Sequence, residues 1–142
     1  MDPHGVPSGG DWALSRTAAL FFEGTEHLVI SNCTFLRLDG NALMLSGYNR
    51  GARITHSNFA WIGETAVALW GTTENNDGTN GEQPRSTEIS FNVMREIGIY
   101  EKQSSAIFQA LSCLTSMMGN ILFNGPRALI NINDGFGGIA LP

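Results

Sequence analysis

Four times along the 142-residue chain an apolar anchor is followed three residues later by Asn or a small residue and five later by a large apolar one. This recurrence restricts the fold more than any other feature. The segments are Ile30-Ser31-Asn32-Cys33-Thr34-Phe35, Ile54-Thr55-His56-Ser57-Asn58-Phe59, Ile89-Ser90-Phe91-Asn92-Val93-Met94 and Met117-Met118-Gly119-Asn120-Ile121-Leu122. Their anchors stand 24, 35 and 28 residues apart. Eight positions beyond each anchor come Leu38, Ile62, Ile97 and Gly125, and a second apolar block follows in every unit: 42–45, 66–70, 106–110 and 128–132. Each unit thus holds two or three short strands separated by turns rich in Gly and Asn.

Units this short cannot each bury a core. Coiled so that equivalent strands lie about 4.8 Å apart, they build parallel sheets around one shared apolar interior. The expected fold is all-β: a right-handed, single-stranded parallel β-helix (β-solenoid) of about five partial or complete rungs. Parallel strands are expected at 29–30, 53–55, 88–90 and 116–118, with like side chains in columns. Cys33, Ser57, Asn92 and Asn120 mark a bend where an amide can satisfy neighbouring backbone groups. Leucine-rich repeats require a Leu-x-x-Leu-x-Leu pattern that is absent, and a β-sandwich does not produce this register. The expected organisation is an N-terminal arm or cap over 1–17, rungs over 18–138 and a truncated end at 139–142. A surface loop over 71–87 explains the long third unit. Its acidic and amide oxygens could hold Ca²⁺, but their spacing matches no calcium loop, so no metal or other cofactor is expected.

Composition narrows the function classes. A formal charge of −5, a single Lys at Lys102 and no basic cluster argue against nucleic acid or an anionic membrane as partner. No apolar run reaches the roughly 20 residues of a transmembrane helix, and the opening Met1-Asp2-Pro3-His4-Gly5 lacks the parts of a signal peptide. Cys33 and Cys113 fall about three rungs apart, near 14 Å and beyond disulfide reach, so both are expected as free, buried thiols.

The segments 99–105, 108–110, 124–128 and 131–138, with Asn133-Asp134-Gly135-Phe136-Gly137-Gly138 at their end, resemble right-handed β-helix proteins of the pectate-lyase-like superfamily. The resemblance covers about 18–138. It implies an extracellular or cell-surface, carbohydrate-interacting protein with a polysaccharide or glycan as partner; the superfamily holds lyases, hydrolases, epimerases and non-enzymatic adhesins. Its members usually continue through further rungs, whereas this chain stops at Pro142. An open last rung would favour end-to-end self-association.

The late rungs concentrate polar groups. Elimination from a uronic-acid polymer needs a base and a cation beside the carboxylate, roles that suit Lys102 and Arg127 as candidate catalytic residues. Tyr100, Gln109, Asn131 and Asn133 are candidate substrate-binding residues, with Trp61, expected to point outward, as a sugar-stacking ring. Hydrolysis would rely on the carboxylates of Glu101 and Asp134, although Asp134 before Gly135 also reads as a turn residue. The plainer reading makes Lys102 and Glu101 ordinary turn residues and Arg127, after Pro126, a capping contact to carbonyls. A non-enzymatic structural or adhesive solenoid, or an inert truncated fragment, therefore remains beside a lyase- or epimerase-like protein.

Overall fold

The computed structural model describes residues 15–73 and 77–133. Most of the expected N-terminal arm, the tip of the 71–87 loop, Asp134 and the end at 139–142 lie outside them. The chain begins with β1 (Leu20–Glu26) and then runs β2 (Val29–Ser31), β3 (Thr34–Leu38) and β4 (Leu43–Arg50). The next coil is β5 (Arg53–Thr55), β6 (Asn58–Ile62) and β7 (Val67–Trp70). After the loop come β8 (Pro84–Arg85), β9 (Glu88–Ser90), β10 (Val93–Ile97) and β11 (Ile107–Ala110), then β12 (Ser116–Met118), β13 (Ile121–Phe123) and β14 (Ile130–Ile132).

Successive coils deal their strands in turn to three sheets. Sheet A is ordered β1-β4-β7-β11-β14, with β8 also on β4; sheet B is β2-β5-β9-β12 and sheet C is β3-β6-β10-β13. All pairs are parallel. The result is all-β, an arrangement compatible with a β-helix or solenoid. The expected strands at 29–30, 53–55, 88–90 and 116–118 are β2, β5, β9 and β12, and the anchors Ile30, Ile54, Ile89 and Met117 stand in one register. The second column is Phe35, Phe59, Met94 and Leu122, where the Phe35 and Phe59 rings stack with centroids 4.5 Å apart.

Strand alternation sends one set of side chains into the interior shared by the three sheets, among them Ile54, Phe59, Ile62, Val67, Leu69 and Ile107, all fully buried. The opposite face of sheet A buries a second cluster, Met44, Ala68, Trp70, Phe108 and Ala110. Part of its cover is the segment 15–18. Ala18 packs on the cluster, the Arg16 guanidinium lies 3.9 Å from the Trp70 ring centre, and Arg16 donates to Ser46 Oγ and to the carbonyls of Trp70 and Gly71.

The predicted bend is held by side-chain amides. Cys33 N donates to Ser57 Oγ, Ser57 N to Asn92 Oδ1 and Asn92 N to Asn120 Oδ1, while the Asn92 and Asn120 amides donate to the carbonyls of Ile54 and Ile89. Two expectations need correction. Cys33 is an exposed free thiol and Cys113 a half-buried one: Cys33 stands between the edge strands β2 and β3, whereas its equivalents Ser57 and Asn92, further into the stack, are buried. The 71–87 segment also rejoins the sheet before its end: β8 pairs with Asn49 and Arg50 of β4, and Arg50 ties the preceding turn down through the carbonyls of Gly81 and Gln83.

Candidate functional site

The corners, some between strands and some one residue before a strand's end, are made by left-handed residues that few sequences would advertise, since most are not glycine. Two positions after each anchor, Asn32, His56, Phe91 and Gly119 all have φ between 51° and 64°. Seven positions after each anchor, Arg37, Trp61, Glu96 and Asn124 have φ between 51° and 58°. A left-handed residue at a corner turns its side chain out of the coil. Each corner therefore displays a column of outward groups, and these two columns flank the outer face of sheet C.

At the corner from sheet C to sheet A, three turns lie one on another. Gly63 N donates to Leu38 O, Tyr100 N and Glu101 N donate to Gly63 O, and Ile99 N donates to Ile62 O. Gly63 makes this stacking possible: a Cβ there would enter the Asp39 carbonyl and stand 2.9 Å from the Tyr100 ring. Around this spine opens a cleft of about 290 Å³, lined by Arg37, Leu38, Asp39, Trp61, Ile99 and Tyr100. Trp61 is 47% exposed and Tyr100 70% exposed. Two aromatic rings thus meet solvent beside one cation and one carboxylate, apolar faces ringed by hydrogen-bonding groups.

Glu64 follows directly on the spine. Its side chain is nearly buried and accepts from both the backbone N and the Oγ of Ser15, at 3.0 and 2.9 Å. Burial pushes its carboxyl above the ordinary range; the two Ser15 bonds pull it partly back, and Glu101 adds a further push upward. The Glu64 carbonyl accepts from Gly98 N and Ser104 Oγ, which joins the corner to the next turn.

The sequence-selected residues separate into distinct surroundings. Trp61 and Tyr100 line the cleft together. Lys102 is exposed, and its Nζ donates to the carbonyls of Gly98 and Ile99 at 2.7 and 2.9 Å. Arg127, exposed on the following turn, donates to Gln103 Oε1 at 2.6 Å. Gln109 shares its register with the interior residue Leu69, so it faces the core, and its Oε1 is buried with no hydrogen-bond partner among the described residues. Asn131 pairs in register with Phe108, placing it on the opposite face of sheet A. Asn133 docks its backbone N on Gln109 O at 2.7 Å. Alternation along β11 and β14 therefore points Gln109 and Asn131 to opposite sides of one sheet. Glu101 accepts from Gln103 N as a turn residue, and its proposed partner Asp134 lies outside the described residues.

Among the described residues no three His, Cys, Asp or Glu side chains group to hold a metal ion. In the loop, Asp77 Oδ1 accepts from Thr79 N, and this bond holds its carboxyl below the usual range. No helix among the described residues is long and apolar enough to cross a membrane. Sequence reasoning missed Arg37 and Asp39. The signal for Arg37 was present, because it stands seven positions after its anchor, as Trp61 does. Comparison with protein-family models, curated proteins and solved structures finds no match to this chain.

Proposed function

We propose that the chain is a right-handed parallel β-helix domain of an extracellular or cell-surface, carbohydrate-interacting protein, and that it binds a polysaccharide at the corner cleft between Trp61 and Tyr100. The solenoid reading is supported by the dealing of each coil's strands to three parallel sheets. The binding reading is carried by one observation: two strongly exposed aromatic side chains from neighbouring coils share a cleft with Arg37 and Asp39. Flat rings complement the C–H faces of a pyranose, and the charged pair can orient its hydroxyl or carboxylate groups.

Binding is favoured over elimination by the placement of Lys102. Its Nζ is engaged by two carbonyls of its own turn, and the residue does not line the cleft. The same contacts favour a second reading, a structural or adhesive solenoid, because Lys102 and Arg127 both brace turns. A glycan array separates these readings. The wild-type chain should bind a restricted set of polysaccharides, and Tyr100→Ala should weaken the best of them by roughly fivefold with the melting temperature unchanged. Release of unsaturated products from uronic-acid polymers would restore the lyase reading, and binding to no glycan would favour the structural one.

A further inference from the structure

The outer face of sheet B carries a hydrogen-bonded chain that neither the core nor the corner cleft uses. Parallel register sets Arg53 beside Glu88 and Thr55 beside Ser90, while Ile54 and Ile89 of the same strands turn inward. Glu88 Oε2 accepts from Arg53 Nε at 3.2 Å, and Glu88 Oε1 accepts from Ser90 Oγ at 2.5 Å. Ser90 Oγ lies 3.1 Å from Thr55 Oγ1, which lies 2.7 Å from His56 Nδ1. Ser90 is fully buried and Thr55 nearly so, which shields the middle of the chain from water. Counting protons gives the chain one direction. The Ser90 bond, and after it the Arg53 guanidinium, hold the Glu88 carboxyl below the usual range, so it is ionised and accepts only. The single Ser90 proton then points at Glu88 and the Thr55 proton at Ser90, which leaves Thr55 Oγ1 to accept from His56 Nδ1–H. In the neutral imidazole that tautomer puts the free lone pair on Nε2. His56 is exposed at a left-handed corner, and no described residue occupies its Nε2.

His56 lines a groove of about 410 Å³ together with Cys33, Asn58 and Phe91. The bond from Cys33 N to Ser57 Oγ sets the cysteine diagonally across from His56 on the neighbouring coil, with Cα atoms roughly 6 Å apart from the strand spacing and the Cα step. The Cys33 thiol is exposed and donates to Ser31 O at 3.4 Å. We propose that this groove is a second site, an acyl-transfer centre for small esters or thioesters, with Cys33 as nucleophile, His56 as base, and Thr55, Ser90 and Glu88 positioning the imidazole. His56 Nε2 takes the thiol proton and the thiolate attacks the acyl carbonyl. The bond from that carbon to the leaving alcohol or thiol breaks, and the leaving group departs with the proton. Water then attacks the acyl-cysteine thioester, its proton passes through His56 to the departing thiolate, and the free acid leaves as the thiol is restored. Asn58 brings amide protons that can meet the oxyanion. The Phe91 ring, 52% exposed and 5.2 Å from the His56 ring centre to centre, gives the acyl chain an apolar wall. This site shares no residue with the corner cleft and does not depend on the glycan reading.

The probe is p-nitrophenyl acetate, with p-nitrophenol release followed by absorbance, acetylation of Cys33 and Cys113 by peptide mass spectrometry, and folding by thermal melting. Wild type should show a burst stoichiometric with chain and carry the acetyl group on Cys33. Exposure alone favours Cys33 over the half-buried Cys113, so variants around His56 decide. Asn already fills the equivalent positive-φ position 32, so His56→Asn keeps the turn, and it should slow Cys33 acetylation by roughly a hundredfold. Thr55→Val removes the hydroxyl that orients the imidazole but keeps the branched shape. It should slow acetylation by roughly tenfold, and Thr55→Ser should restore the wild-type rate. A wild-type rate in His56→Asn would overturn the site and leave Cys33 merely an exposed thiol. A wild-type rate in Thr55→Val, or equal slowing in Thr55→Val and Thr55→Ser, would overturn the hydrogen-bonded chain as the device that orients His56.

Discussion

Asn92 joins three coils through one side chain: its Oδ1 accepts from Ser57 N, and its amide donates to Ile54 O and to Asn120 Oδ1. Truncation to Ala would strip Ser57 N and Ile54 O of these partners in a buried setting. We expect Asn92→Ala to cost about 3 kcal/mol, read as a lower urea midpoint at unchanged slope. Glu64 makes a prediction of opposite character. A carboxyl whose folded pKa is raised contributes stability that is full below its unfolded value and is lost as pH rises through the folded one. The contribution of Glu64 should therefore fade as pH climbs from the ordinary glutamate value of 4.5 through its raised value in the fold. Thermal melts of Glu64→Gln against wild type across that window should show the variant with the flatter profile. The anchors, the Asn bend and the outward turn of Trp61 were legible in the sequence because residue type and spacing coincide there. The corner columns were not, because Arg37, Trp61, Phe91 and Glu96 are poor advertisements for positive φ.

Strands only three to five residues long, as in sheets B and C, gain their order from stacking rather than from intrinsic preference. Ile54 is fully buried between Ile30 and Ile89, so Ile54→Asp would place an unpaired carboxylate within the column. The penalty of several kcal/mol is comparable with a typical total stability of about 5–15 kcal/mol, and the variant should lose its cooperative melting transition. An unchanged melting temperature would contradict the register. Gly63→Ala acts on the turn stack instead, forcing Asp39 and Tyr100 apart. It should weaken glycan binding more than Tyr100→Ala does, because it displaces both walls of the cleft. Sequence periodicity located these elements but grouped Tyr100, Gln109, Asn131 and Asn133 as one polar face. That grouping ignored strand alternation, which turns Gln109 inward and Asn131 outward, and a one-residue parity is hard to read where turns of unequal length intervene.

Across the whole molecule, burial is uneven. Interior residues of the middle coils are fully buried, whereas Ile121, Phe123, Ile130 and Ile132 in the last strands and Leu20 and Phe21 in the first are 38–59% exposed. Amide hydrogen exchange should follow this gradient, slowest in β5–β7 and β9–β11 and faster in β1 and β12–β14. The two tryptophans of the described residues divide in the same way and report on opposite faces: Trp61 is 47% exposed in the corner cleft, while Trp70 is 1% exposed beneath Arg16. The most direct measurement is therefore a two-dimensional NMR titration of the indole N–H signals with the best polysaccharide ligand from the array. Saturable movement of the Trp61 signal with that of Trp70 unmoved is the predicted result; glycan binding that leaves the Trp61 signal in place would contradict recognition at the corner cleft.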